Sequence, residues 1–250
     1  MGKFANDAME SHKIGGTNFG FSATKIGNLG ASEYTLATVV VDVSGSMEPY
    51  YKDVETVLKE VIASLRKSPR ADNLMVRVVL FDTQVTEMHG FRPLPDCNEA
   101  DYDGCIHPGD LTALFDASFS AVEATAQYAE ALSKNDFQSN AVVFIISDGM
   151  DNRSKFPATK VRDAIKKART SEVLESIKPI LIGVNTDATT GLSQYLDTFK
   201  TEAGIDQYVE IKKADQKTLA KLSGFISKSV SSTSQALGSG GPSKNIDPSF

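Results

Sequence analysis

Leu36-Ala37-Thr38-Val39-Val40-Val41-Asp42-Val43-Ser44-Gly45-Ser46-Met47 changes chemistry abruptly in its middle, and the reading of that change decides the fold. Leu36 to Asp42 is a near-continuous β-branched run with almost no polar alternation. Such a run suits a strand covered on both faces. At Asp42 the sequence turns to carboxylate, hydroxyl, glycine and hydroxyl. Just beyond, Val54, Val57, Leu58, Val61, Ile62 and Leu65 recur at helical spacing, which predicts an amphipathic helix ending at Ser68-Pro69.

The same alternation continues outward. Leu74–Phe81 reads as a second strand, and Val85–Phe91 as a weaker third, paired to it across Asp82-Thr83-Gln84. After a long polar loop, Pro93–Asp110, one helix face is marked by Leu111, Leu114, Phe115, Ser118, Val122, Thr125, Ala129 and Leu132. Ala141–Ile146 is a buried strand, Thr159–Val173 a charged helix and Pro179–Val184 another strand. Leu192, Leu196 and Phe199 share a face of a helix that Gly204 stops. Tyr208–Ile211 is a short last strand. Asp215 can cap a final helix whose Leu219, Leu222, Ile226 and Val230 face inward. Strands alternating with helices predict an α/β fold: a mostly parallel sheet, one antiparallel edge strand, and helices on both faces. Residues 34–230 form the predicted domain. Residues 1–33, rich in Gly, Asn, Ser and Lys, read as an irregular leader. Residues 231–250, with Ser-Ser-Thr-Ser and Gly-Ser-Gly-Gly-Pro-Ser, read as a flexible tail.

Composition narrows the function classes. The chain has 250 residues, 41% of them apolar, enough for one sizeable core, and a net charge of −6 with both signs interspersed. A nucleic-acid footprint needs a clustered basic face, so nucleic-acid binding is disfavoured. No apolar run reaches the ~20 residues of a membrane helix, and Met1–Phe21 lacks the pattern of a secretion signal. A cytoplasmic, reducing location is expected, with Cys97 and Cys105 as free thiols. The Cys97, Cys105 and His107 spacing makes a poor zinc pattern. Gly15–Gly20 is not a phosphate loop, because it lacks Gly-Lys-Ser/Thr and a preceding strand.

In a parallel sheet, ligands bind beyond the carboxyl ends of the strands, where strand order reverses. In extended chain Asp42 and Ser44 point to one side, and Gly45 lets the backbone turn so that Ser46 returns to the same point. Ser147-Asp148-Gly149 repeats the strand-end carboxylate. If the two strands are neighbours, ~4.8 Å apart, Asp42 and Asp148 can flank one small ion. Oxygen-only donors select hard cations, Mg²⁺ first, with Mn²⁺ or Ca²⁺ as alternatives. The competing reading of Asp42, Ser44 and Ser46 is an ordinary helix cap. Asp151 reads as an exposed loop acid.

Asp42-Val43-Ser44-Gly45-Ser46 resembles the D-x-S-x-S motif of von Willebrand factor A domains. In that family the motif begins a metal-ion-dependent adhesion site, completed by a threonine from a later loop and an aspartate after the central strand. Thr112, in Gly109–Leu114, and Asp148 match those two by position, although Gly109–Leu114 departs from the common Gly-Gly-Thr form. Thr83 and Thr86 also lie nearby, but neither immediately precedes a helix. The resemblance covers about Tyr34 to Val230. It implies a Rossmann-like three-layer fold and a non-enzymatic module whose metal bridges to an acidic residue of a protein partner, in assembly of an intracellular complex. The run ending in Met47, and Ser147–Asn152, are similar to bacterial and phage relatives. A haloacid-dehalogenase-type phosphohydrolase also begins with an aspartate after the first strand. It needs a second acid two residues on, where this chain has Ser44. The Pro93–Asp110 loop leads into Thr112, and is expected to overhang the metal and set partner choice.

Overall fold

The computed structural model describes residues 8–107, 109–239 and 245–248. In chain order the elements are β1 (Met9–Lys13), β2 (Gly20–Thr24), β3 (Glu33–Asp42), α1 (Tyr51–Leu65), β4 (Leu74–Phe81), β5 (Val85–Pro93), α2 (Leu114–Ser133), β6 (Gln138–Ser147), α3 (Ala158–Thr170), β7 (Ile177–Val184), α4 (Leu192–Ala203), β8 (Gln207–Ile211) and α5 (Gln216–Ser239). The strands form one eight-stranded sheet in the order β1-β2-β5-β4-β3-β6-β7-β8. β4, β3, β6, β7 and β8 run parallel, and β5 is antiparallel to β4.

Side-chain alternation divides the core in two. Leu36, Val40, Val143 and Ile145 face α2, α3 and α4. Val39, Val41, Val142, Phe144 and Ile146 face α1 and α5. These strands are therefore buried on both faces, which is why their sequences show no polar alternation. The one hydroxyl in the middle of β3, on Thr38, is satisfied by Thr125 of α2 at 3.1 Å. From β3 the chain steps to β4 on one side, and from β6 to β7 and β8 on the other. The order thus reverses between β3 and β6, where Val41 lies beside Ile146.

Four expectations need correction. From residue 8 on the leader is not irregular: β1 and β2 form an antiparallel hairpin that carries the sheet past β5, while residues 1–7 lie outside the described residues. β5 is therefore interior rather than an edge. Ile14, Phe21 and Ala23 are buried in the core. β2 meets β5 through a single parallel pair, Ala23 and Phe91. A side chain at Gly90 would lie 1.9 Å from the Ser22 carbonyl oxygen, so glycine permits the approach. The Glu87 carboxylate completes the joint. It accepts hydrogen bonds from the Ser22 N–H (2.8 Å), the Ser22 hydroxyl (2.6 Å) and Nε of Arg77 (2.7 Å). Second, residues 231–239 are the end of α5. Leu237 is buried, Asn140 Nδ2 donates to the Thr233 carbonyl at 2.7 Å, and Arg70 Nε donates to Ser234 Oγ at 2.9 Å. Residues 240–244, 249 and 250 of the expected tail lie outside the described residues. Third, Leu111 precedes α2 instead of lying on its inner face, and is 41% exposed.

Fourth, the body of the Pro93–Asp110 loop does not overhang the strand ends, and only Gly109 and Asp110 return to them; residue 108 lies outside the described residues. The body lies along α1, in two short 3₁₀ turns at Leu94–Asp96 and Glu99–Tyr102. Leu94, Cys97, Tyr102 and Ile106 enter the core beside α1. The Glu55 carboxylate of α1 accepts from the Gly104 and Ile106 amides, each at 3.2 Å. Cys97 and Cys105 are free thiols. No helix among the described residues is long and apolar enough to cross a membrane.

Candidate metal centre

The carboxyl ends of β3 and β6 carry the site. Asp42 closes β3, fully buried, and Ser44 Oγ–Ser46 Oγ are 3.3 Å apart at the start of the following turn. The backbone holds this geometry: the Ser44 N–H donates to Asp42 Oδ1 at 2.9 Å, and the Tyr51 hydroxyl of α1 donates to the Val43 carbonyl at 2.8 Å. From β6, Asp148 Oδ1 accepts from Ser46 Oγ at 2.7 Å. Ser44, Ser46 and Asp148 thus form a continuous chain of oxygens.

Thr112 arrives from the other direction. Gly109 N–H donates to the Val43 carbonyl at 3.0 Å, bringing the end of the long loop to the strand edge, and Ala113 N–H donates to the Asp82 carbonyl at 2.8 Å. A side chain at Gly149 would lie 3.0 Å from Thr112 Oγ1 and 3.7 Å from Asp42 Oδ2. Those two oxygens therefore face one spot beside Gly149, which only a residue without a side chain leaves open. All five oxygen-bearing residues singled out in the sequence meet here. Thr83 does not join them. Its hydroxyl accepts from the Leu111 N–H at 3.4 Å, and Thr86 is exposed on β5.

The charge of the site is uncompensated. No ion pair among the described residues involves Asp42 or Asp148. Burial pushes the Asp42 carboxyl up to about 6, against the hydrogen bonds from Ser147 and Ser44, with the Asp148 charge pushing the same way. Burial also raises Asp148. Two buried carboxylates with no cationic neighbour, joined by hydroxyls, are what a hard divalent cation requires. No group of three or more His, Cys, Asp or Glu among the described residues is placed to hold a metal, so any cation here depends on the hydroxyls.

Three supporting residues were not apparent from the sequence. Ser147 is fully buried, and its hydroxyl donates to Asp42 Oδ2 at 2.5 Å, fixing the second carboxylate oxygen. A lone hydroxyl at the end of an otherwise apolar strand was the available signal. Asp151 is a helix cap rather than a free loop acid. Its Oδ2 accepts from the Phe115 N–H at 3.1 Å in the first turn of α2. Asn152 Oδ1 accepts from the Thr112 N–H at 2.8 Å. Nothing in local spacing ties residues 151 and 152 to residues 112–115, because the contact is made only by folding.

Comparison with known proteins agrees with this architecture. The family model described as "VWA domain containing CoxE-like protein" matches residues 32–175. Comparison with curated proteins returned no match. Among solved structures, the PilB minor pilin from Streptococcus sanguinis is 15% identical with a TM-score of 0.58, covering 85% of this chain and 64% of the pilin chain. The pilus adhesin SpaC from Lactobacillus rhamnosus GG is 11% identical with a TM-score of 0.55, covering 81% of this chain and 30% of its own. Proximal thread matrix protein 1 from the mussel byssus, solved with a zinc-occupied MIDAS motif, is 22% identical with a TM-score of 0.52, covering 79% of this chain and 46% of its own. This chain therefore spans less than two thirds of each of those chains, and at such identities the likeness is one of fold. With the family model matching more than half of its length, the chain belongs to the family of VWA domain containing CoxE-like proteins.

Proposed function

We propose that this chain is a non-enzymatic, metal-dependent protein-binding module. Asp42, Ser44, Ser46, Thr112 and Asp148 would hold one divalent cation, Mg²⁺ by preference, with Mn²⁺ or Ca²⁺ as substitutes. The observation that carries this reading is the convergence of two uncompensated carboxylates and three hydroxyls from three separate stretches at the point where strand order reverses. The zinc of the mussel protein belongs to that protein; an all-oxygen donor set favours harder ions. When bound, the cation supplies a Lewis-acidic position that accepts one more anionic oxygen. The chain's own part is to orient the donors. Ser147 and the Ser44 amide each hold one oxygen of Asp42, and Ser46 holds Asp148. Because three of the five donors are neutral hydroxyls, the site keeps affinity for a further carboxylate, and an Asp or Glu of a partner protein fits it.

Phosphoryl transfer is a poorer reading. Asp42 has both oxygens engaged by hydrogen bonds, and the position two residues on is the hydroxyl of Ser44, which cannot act as a general acid near neutral pH. The free thiols fit a reducing, cytoplasmic compartment, and assembly of an intracellular complex is the role that fits such a module.

The test combines two measurements. Mg²⁺ or Mn²⁺ should raise the melting temperature of the native chain, by mass action, and leave Asp42→Ala and Asp148→Ala unmoved. Affinity purification from the native host should retain a partner with Mg²⁺ and lose it with chelator. A melt insensitive to both metal and chelator would defeat the proposal.

A further inference from the structure

We propose that Asn152, whose hydrogen bonds reach the backbone of Thr112 rather than a donor side chain, is a positioning residue that sets metal affinity by fixing Thr112; this rests on the metal-site reading above. Thr112 is the ligand with the least local support. It lies in the short stretch between the end of the long loop and α2, outside any regular element. Its own peptide is gripped from both sides by one residue forty positions later: Thr112 N–H donates to Asn152 Oδ1 at 2.8 Å, and Asn152 N–H donates to the Thr112 carbonyl at 3.0 Å. On either side of it, the Leu111 N–H reaches Thr83 Oγ1 only at 3.4 Å, a weak bond, while the Ala113 N–H donates to the Asp82 carbonyl at 2.8 Å; Asn152 is the partner that holds the Thr112 N–H itself.

The position of the grip matters as much as its strength. Asn152 follows Asp148 by four residues in the loop that leaves β6, so Thr112 is referenced to the same loop that carries the second carboxylate. The adjacent Asp151 fixes the first turn of α2 through the Phe115 amide. Its Oδ2 also accepts from Ser154 Oγ at 2.5 Å, while Ser154 Oγ accepts from the Asp116 N–H at 2.9 Å. Ser147, Asp148, Asp151 and Asn152 thus orient Asp42, complete the ligand set, cap α2 and hold Thr112 in turn. The β6 loop acts as the frame on which the other two ligand-bearing stretches are aligned.

Asn152 itself is exposed. Removing its side chain opens no cavity, and the backbone bond from its N–H survives. Its loss should therefore loosen Thr112 without loosening the domain. A group that orients a metal ligand typically changes affinity by about 10–100-fold.

The experiment is Mg²⁺ titration calorimetry on the full chain, with the metal-free melting temperature as a second readout. The expected result is that Asn152→Ala weakens Mg²⁺ by about tenfold or more while the metal-free melt stays within about 2 °C. Asn152→Asp, which keeps an acceptor at the same reach, should restore affinity. In a Thr112→Ala background, Asn152→Ala should cost nothing further, because its effect passes through Thr112. Should Asn152→Ala fold poorly, Asn152→Gln, with its acceptor one methylene too far out, replaces it and should show the same loss. The proposal is overturned if affinity stays within about twofold, or if the loss is as large when Thr112 is already alanine. Absence of Mg²⁺ binding by the unmodified chain would instead overturn the metal-site reading itself.

Discussion

Asp42 concentrates the chemistry of the molecule in one side chain. Its carboxyl sits at about 6 in the folded chain against 3.8 ordinarily, so the folded state binds that proton more tightly than the unfolded state does. The sign follows. The metal-free fold is favoured when Asp42 is protonated, and this contribution is lost as pH rises from about 4 through about 6. A shift of this size corresponds to roughly 3 kcal/mol. Asp148, raised by burial as well, acts in the same direction. In chelator, the urea midpoint of the native chain should therefore fall across that window from these groups, and Asp42→Asn should flatten the fall. A slope unchanged by the substitution would place its origin elsewhere. The cation must displace the same proton, so Mg²⁺ affinity should weaken as pH drops below about 6. At this scale the candidate oxygen donors were legible because strand-end acids and hydroxyls stand out against apolar runs. Ser147 and Asn152 were not, since a hydrogen bond between residues 105 or 40 positions apart leaves no trace in spacing.

Among the elements, the Pro93–Asp110 loop departs furthest from its sequence. Its polar composition conceals four inward residues too irregularly spaced to show a helix or strand period. Tyr102 anchors it, with its hydroxyl 2.8 Å from Nε2 of the buried His89. Burial, and the charges of Arg92 and Arg77, lower His89 to about 3, so it is neutral in the fold. Stability from this group is present above pH ~6.5 and is lost as pH falls toward 3. Tyr102→Ala should cost about 3–5 kcal/mol in chemical denaturation, by emptying a core position and leaving His89 without this partner. Mg²⁺ affinity should stay unchanged in titration, because the loop docks on α1. A large loss of affinity would return the loop to the metal face. The β1–β2 hairpin was missed for a related reason. Its strands are five residues each and β1 is partly exposed, so its alternation is short and half masked by polar residues.

At the scale of the whole molecule, the first and last described elements both join the fold. β1 and β2 extend one side of the sheet, while α5 packs beside α1 across the middle of it, its last turns bonded to β6 through Asn140 and to Arg70. Ending the chain after Val230 would leave Asn140 Nδ2 unpaired and uncover the site of Leu237. Calorimetry should show a melting temperature lower by roughly 5–10 °C, with the fold retained. A truncated chain that melts like the native one would mean the last turns of α5 add nothing to stability.

The sequence by itself determined the strand–helix alternation, the two-sided burial of the central strands and the identity of the five converging oxygens. Each of these is written in nearest-neighbour chemistry: unbroken β-branched runs, helical periods, and acids placed where those runs stop. Only the tertiary structure decided which strands lie side by side, that residues 9–24 join the sheet, that the body of the long loop packs on α1, and which residues steady the candidate ligands. Those outcomes depend on contacts between distant segments, whose energies arise when the chain is folded and are not encoded in the local period of any one stretch.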